Sequence, residues 1–198
     1  QGPAPRIGEH TSEILDSLGD RVEGRSYANV EGGLPNHPLS GFTLLDLSTV
    51  IAGPLATSLT YELGVRVIRI ETLEGDTTRR NFDGLGANRT QAGAENISIN
   101  LQTPEGKEIF RKLVAKADIL VHNMRPGAPE RVGIGYEQLK EINPGLVYVY
   151  AGGYGPTGPH SQRPSMHPIP GAVCGGVMTQ MGEGGVPPAD QELTIEEV

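Results

Sequence analysis

The sequence is poor in cysteine: Cys174 stands alone among 198 residues. One thiol cannot form an internal disulfide, and such usage fits a reducing compartment, so a cytoplasmic location is expected. Cys174 lies in an apolar, Gly-rich stretch and reads as a buried structural thiol. Long apolar runs are also missing. None approaches the roughly 20 residues that span a bilayer, which argues against a membrane protein. The first residues show no basic segment followed by an apolar one, so no secretory leader is expected. There is no excess of positive charge: the formal charge is −8, which argues against nucleic acid as the main partner. His10, His37, His122 and His160 do not group with Cys or carboxylates at metal-ligand spacing, so no metal is expected.

Hydrophobic residues make up 36%, and 28 glycines bring the composition into the globular range. With 16 prolines as well, turns and loops should be plentiful. The length suits one domain with a core of its own, or one domain with an appendage. Residues 1–20 read as a tail with one helix, which Thr11 can cap and Gly19 can end. Residues 21–38 carry linker chemistry, with Gly24, Gly32, Gly33, Pro35 and Pro38 among few apolar residues. From Leu39 to Gly182 strands and helices alternate. The strands are expected at 43–47, 65–71, 97–101, 119–121 and 146–151. The helices are expected after Ala52-Gly53-Pro54, after Thr103-Pro104-Glu105, at 137–142 and at 169–181. In the first of these, Leu55, Leu59 and Leu63 recur at helical spacing as its apolar face. Residues 72–95 read as a long loop. An acidic segment, 183–198, follows. Alternation of this kind predicts an α/β fold: a mostly parallel sheet with helices on both faces.

In such sheets ligands bind beyond the carboxyl ends of the strands. Three segments sit there. Ser48 to Pro54 leads into a helix, where free amides attract anions, though an ordinary strand-to-helix connection has the same spacing. Val121 to Gly133 offers an amide side chain at Asn123 and guanidinium groups at Arg125 and Arg131, beside a Pro126-Gly127 turn. Such groups can grip a polar, phosphate-bearing ligand, or can equally be surface polars around a turn. Gly152-Gly153-Tyr154-Gly155-Pro156-Thr157-Gly158-Pro159 lets backbone approach a ligand closely, unless it is a plain flexible loop. His167 precedes an apolar helix and can serve as a general acid/base or as a structural histidine.

The chain resembles the amino-terminal half of a family III CoA-transferase, the group of formyl-CoA transferase, carnitine CoA-transferase and the 2-methylacyl-CoA racemases. The resemblance runs from about Leu39 to Gly182. It is carried by Leu45-Asp46-Leu47 with Ala52-Gly53-Pro54, by Leu63-Gly64 with Val67-Ile68-Arg69-Ile70-Glu71, by Asn123 to Gly133, and by Gly153 to Pro159. Thr103-Pro104-Glu105-Gly106 is a further match. The resemblance implies a Rossmann-like domain that binds coenzyme A, in interlocked dimers. The positions matching CoA contacts are Ile51, Ala52, Asn123, Met124, Arg131, Val132, Gly152 and Gly153; Gly152 falls where some members carry lysine. Thr72 follows Glu71 where some members have arginine, and Gly93-Ala94-Glu95-Asn96 replaces a basic run. Both departures shift any remaining positive charge to Arg79, Arg80 or Arg89. Residues from Ala4 to Leu15 resemble the end of such a polypeptide, so a junction between tandem modules is expected, with residues 1–20 packing on the preceding module.

The resemblance further implies acyl transfer between an acyl-CoA and a carboxylate acceptor. The nucleophile would be an Asp carboxylate, expected at or past Val198; Asp190 is the nearest candidate and is not assigned. By itself this part is then expected to lack turnover. In the alternative racemase reading His167, which aligns with that branch's catalytic histidine, would move the α-proton, although Pro168 breaks the branch's His-Asp pair. A third reading is a non-catalytic structural module of a fused protein.

Overall fold

A computed structural model describes residues 4–18, 37–79, 85–166 and 169–177. Five strands form one parallel sheet in the order β3-β2-β1-β4-β5. They are β1 (Thr43–Asp46), β2 (Arg66–Glu71), β3 (Glu95–Ser98), β4 (Ile119–His122) and β5 (Val147–Tyr150). Because the order reverses after β3, the crossover to β4 skips over β1 and β2. The connections after β1 and β4 therefore diverge, leaving a crevice between the carboxyl ends of these two neighbours. This is the parallel α/β sheet that the alternating sequence predicts, in the Rossmann-like arrangement that the resemblance implies.

Period-two alternation explains the two faces. On one face Leu45, Leu47, Ile68, Ile70, Ile97 and Leu120 pack against α4 (Pro104–Lys116) through Phe110, Leu113 and Val114. Thr103 caps α4 by accepting from Gly106 N at 3.1 Å, and Pro104 occupies the first turn where a missing N–H costs nothing. On the other face Leu44, Val65, Val67 and Val121 form a smaller cluster with Tyr61 of α2 (Ala52–Glu62).

The helix α2 departs from its sequence pattern. Its leucines were expected inside, yet Leu59 and Leu63 are 39% and 46% exposed, and Gly53, Pro54, Thr57 and Ser58 are buried. The reason lies beneath it. The ends of β1 and β2 carry Asp46 and Arg69, so the helix turns its small and hydroxyl-bearing side toward buried charge. Pro54 accordingly stands at the third helical position, not the first. Residues 72–95 are not one loop: a 3-10 turn at Thr77–Arg79 and a helix, α3 (Leu85–Thr90), lie within them. The third strand starts earlier than its alternation suggests, at Glu95, because Glu95 pairs Arg66 across the sheet at 2.7 Å. After β4, Ala128–Val132 forms a short helix, α5, in place of an open turn, and Tyr136–Lys140 forms α6. In the last described helix, α7 (Ile169–Cys174), Cys174 is exposed, not buried: no described element covers that side, and the helix breaks at Gly175 with φ 88°.

The tail helix α1 (Thr11–Leu18) does not face away from the sheet. Ile14 is fully buried in the cluster of Ile97 and Phe110, so residues 4–18 pack on this sheet's own β3 edge. The expectation that they pack on a preceding module is corrected accordingly: the apolar stripe of α1 finds its cover here. Residues 19–36, most of the sequence read as a linker, and the acidic 183–198 lie outside the described residues.

Candidate functional site

The carboxyl ends of β1 and β2 meet in a buried charge network. Asp46 and Arg69 are partners in register, and Arg69 Nη1 donates to Asp46 Oδ2 at 2.8 Å. Arg69 also donates from Nε to Glu71 at 3.1 Å and from Nη2 to Asp76 at 2.9 Å and the Ser48 carbonyl at 3.1 Å. Its side chain is 2% exposed. A charge in such a place survives only when its donors are all matched, and here one guanidinium is shared by three carboxylates. Arg79 supplies a second cation, donating to Glu71 Oε2 at 2.9 Å. Thr57 of α2 donates to Asp46 Oδ2 at 2.7 Å, and Ser48 Oγ donates to Asp46 Oδ1. A methyl group added at Gly53 would collide with Ser48, so this glycine permits the close approach of helix and loop.

The network fixes the loop that follows β1. Val50 adopts φ 70°, a left-handed conformation that is a true outlier for a β-branched residue. Strain of this kind costs on the order of 1–3 kcal/mol and persists only when the surroundings over-determine it. Two clamps do so. Asp76 Oδ2 accepts from Val50 N at 3.1 Å, and Asn123 holds Thr49 from both sides, accepting from its N–H at 3.0 Å and donating to its carbonyl at 2.8 Å. Burial opposes the charge on Asp76. Hydrogen bonds from the Thr78 side chain and backbone, the Arg69 charge and the Val50 amide outweigh it and hold the carboxyl below its usual range.

The turn after β4 is built differently. His122 is buried between Tyr148 and Tyr150, with ring centroids at 5.0 and 5.4 Å. Its Nδ1 accepts from Met124 N at 3.2 Å, which sets the start of the turn. Burial lowers its pKa more than the charge of Glu130 raises it, so the imidazole stays neutral. Gly127 (φ 81°) and Gly133 (φ 84°) bound α5 in the left-handed region that glycine adopts without a Cβ penalty. The side chains of Arg125 and Arg131 are exposed and make no hydrogen bond or ion pair within the described residues. The Arg131 guanidinium folds back over Gly127.

Between these two regions lies a cavity of about 490 Å³ at the ends of β1, β2, β3 and β4. Leu47, Ile70, Ile99, Leu101, Met124 and Val132 give it an apolar wall; Arg69, Glu71 and Asp76 lie along its polar side. Of the residues expected to bind a cofactor, Met124 and Val132 line it. Asn123 clamps Thr49, which also lines it. Arg131 sits on α5 beside Val132. Ile51 and Ala52 are exposed at the start of α2, two and three residues beyond Thr49, and are not part of the wall. Gly152 and Gly153 are not part of it either. A side chain at Gly152 would collide with the Tyr150 hydroxyl, and Gly153 N donates to Ser165 Oγ at 3.2 Å. His167 and Asp190 lie outside the described residues, as does Arg80. Arg79 and Arg89 are already engaged: Arg79 by Glu71, and Arg89 by Glu62 at 3.3 Å and Ser58 at 3.0 Å. Among the described residues no group of His, Cys, Asp and Glu could hold a metal ion, and no helix is long and apolar enough to cross a membrane.

Sequence reasoning passed over Asp76, set in what read as a loop, and the pairing of Asp46 with Arg69. A signal existed for the pair. Asp46 is the lone charge of its strand, Arg69 stands between two isoleucines of its own, and the two charges are opposite. Asp76 carried no such mark, since its partners come from other segments.

The profile of CoA-transferase family III matches residues 39–196. Curated relatives include the beta subunit of succinyl-CoA–L-malate CoA-transferase from Chloroflexus aurantiacus. It is 37% identical over 153 residues, which are 74% of this chain and 38% of that protein. Human succinyl-CoA:glutarate CoA-transferase is 39% identical over 148 residues, 70% of this chain and 33% of that one. Among solved structures, a CAIB/BAIF family protein from Brucella suis superposes with TM-score 0.68 at 32% identity, covering 82% of this chain and 45% of the other. The chain thus spans well under half the length of these relatives.

Proposed function

The chain belongs to CoA-transferase family III, and from that premise we propose that it is the CoA-binding part of an enzyme moving CoA from an acyl-CoA to a carboxylate acceptor. The observation that carries this reading is the cavity at the diverging ends of β1 and β4, apolar on one wall, with the exposed Arg125 and Arg131 next in sequence to Met124 and Val132 of that wall. An apolar wall suits the pantetheine arm of CoA, and Arg125 and Arg131 suit its phosphates. The relatives named for succinyl-CoA with malate or glutarate support carboxylate acceptors as the substrate class.

The buried carboxylates beside the cavity do not suit a nucleophile. Asp46, Glu71 and Asp76 are held by Arg69 and Arg79, and a carboxylate engaged in that way is a poor attacking group. Glu74 also lines the cavity and is exposed, but the resemblance implies an aspartate. We therefore place the attacking Asp outside the described residues. In the reaction so proposed, that carboxylate attacks the thioester carbonyl and expels CoA as thiolate, leaving a mixed anhydride. The thiolate then attacks the enzyme's acyl carbon and releases the first acid. The acceptor carboxylate then attacks the resulting enzyme thioester and expels CoA thiolate, forming a second anhydride; the thiolate attacks the acceptor's acyl carbon, which yields the new acyl-CoA and frees the enzyme carboxylate. This part binds and orients CoA throughout.

Calorimetric titration of CoA into the protein tests the reading. Binding should saturate, and Arg131→Ala should weaken it about tenfold, the scale of one charge-assisted contact, without lowering the melting temperature. No saturable heat with CoA would overturn it.

A further inference from the structure

We propose that the outer edge of β3 is a peptide-docking slot, filled here by residues 4–18, and that filling it sets the shape of the cavity. An edge strand presents unpaired N–H and C=O groups, and a segment that satisfies them gains affinity from its backbone and specificity from its side chains. Asn96, fully buried, is the centre of this edge. Its carbonyl accepts from His10 N at 3.1 Å, its N–H donates to His10 Nδ1 at 3.2 Å, and its side-chain Oδ1 accepts from Gly8 N at 2.5 Å. Gly8 adopts φ 66°, which turns the chain into α1. Ile14 then enters the core without residual exposure. Lys116 Nζ closes the far end by donating to the carbonyls of Ser17, at 2.8 Å, and Leu18, the negative end of the helix dipole. Every docking contact comes from one short continuous stretch, so the slot reads a linear pattern: a carbonyl at Pro5, glycine at 8, histidine at 10 and an apolar side chain at 14.

The slot touches the cavity through Arg79. Its Nη1 donates to the Pro5 carbonyl at 2.8 Å, while its Nε holds Glu71 at 2.9 Å. Glu71 is bound in turn by Arg69, which holds Asp76 and Ser48. Asp76 pins the strained Val50. Ile7 packs directly on Gly75, and Gly75, Asp76, Glu71 and Ser48 all line the cavity. A docked tail therefore braces the same segment that the ligand would meet. The slot stands apart from the proposed function, whereas its effect on CoA affinity rests on that reading.

The test cuts the whole protein at a protease sequence built into residues 21–36 and strips away the tail. A labelled synthetic peptide of residues 1–20 should rebind saturably, and the same peptide with Ile14→Asp should not. A peptide that fails to rebind overturns the slot. CoA affinity should fall at least about fivefold without the tail and return with the peptide, within the usual range of coupling between sites. Hydrogen exchange at the Val50 amide reads the same coupling without a ligand. Faster exchange in the stripped protein supports it; unchanged exchange overturns it, whether or not CoA binds. If stripping unfolds the body, the uncut Ile7→Ser variant replaces it. It keeps Ile14 anchored, so Val50 exchange should quicken while the melting temperature holds. An unchanged Val50 amide there overturns the coupling.

Discussion

The two sides of the cavity are made from opposite materials. At the ends of β1 and β2 the charges are buried and spent on one another, with Arg69 at the centre of three carboxylates. After β4 the charges of Arg125 and Arg131 are exposed and uncommitted, and the backbone is shaped by Gly127, Gly133 and a neutral histidine. A counted tally of arginines would treat these groups alike. Their partners show that the first set fixes a loop and that only the second has capacity left for a phosphate. For a chain of net charge −8, that local difference matters more than the overall balance.

The comparison is broken most severely at Arg69. Arg69→Met leaves Asp46, Glu71 and Asp76 without their common cation in a site that excludes water. Removing one partner of a buried ion pair costs about 3–5 kcal/mol, a large part of the stability of an ordinary domain. Urea unfolding should show the free energy lowered by that amount, and the midpoint lowered by that amount divided by the m-value. Arg131→Ala should leave the midpoint where it is. Equal midpoints for the two variants would mean that the sides do not divide the labour in this way.

A change of pH separates the two sides without mutation. His122 is held neutral by burial, so its folded pKa lies below its unfolded value of about 6.5. Its contribution is complete above that pH and is lost as pH falls from there toward the folded value. Asp76 has its folded pKa below the unfolded value of about 3.9, so its contribution is complete above pH 4 and lost only in stronger acid. Stability measured against pH should therefore decline in two stages. His122→Gln should flatten the first and Asp76→Asn the second. The groups that face these two differ, Glu130 with Tyr148 and Tyr150 for His122, and Arg69 with Thr78 for Asp76, so the stages should be independent.

The sheet was legible because its information is local. Alternation, caps and glycine stops name the strands and the longer helices, and parallel order follows from the helices read between strands, although α3 between β2 and β3 was missed. All five strands were found, four of them within one residue of their ends and the third displaced by two residues at its start and three at its end. The interior of α2 was not legible. Helical spacing marked Leu59 and Leu63, but what a helix buries is decided by what lies under it, and here that is Asp46 and Arg69. The tail failed in the same way. Its resemblance to the end of such a polypeptide pointed to a preceding module, and nothing in residues 1–20 says that the surface they meet is β3. At the candidate site, Met124 and Val132, which line the cavity, lie in a segment the sequence singles out, whereas Asp76 depends on three segments meeting in space.

Asn123 belongs to both sides, which makes it the finest test of the comparison. It stands in the turn after β4, where the likeness to the family marks a CoA contact. In the fold its amide is occupied by Thr49, accepting at 3.0 Å and donating at 2.8 Å across the crevice. A clamp and a ligand contact give different results when removed. As a clamp, Asn123→Ala should cost about 0.5–1.5 kcal/mol of stability, the net worth of such hydrogen bonds, and should free the strained Val50 in the absence of any ligand. As a ligand contact alone it should leave the unbound protein unchanged and weaken CoA. Asn123→Asp decides further, since a carboxylate keeps the bond from Thr49 N but loses the donor to its carbonyl. If the clamp reading holds, Asp should recover about half of the stability lost in Ala while placing a negative charge beside the cavity, so CoA affinity should stay low as stability returns.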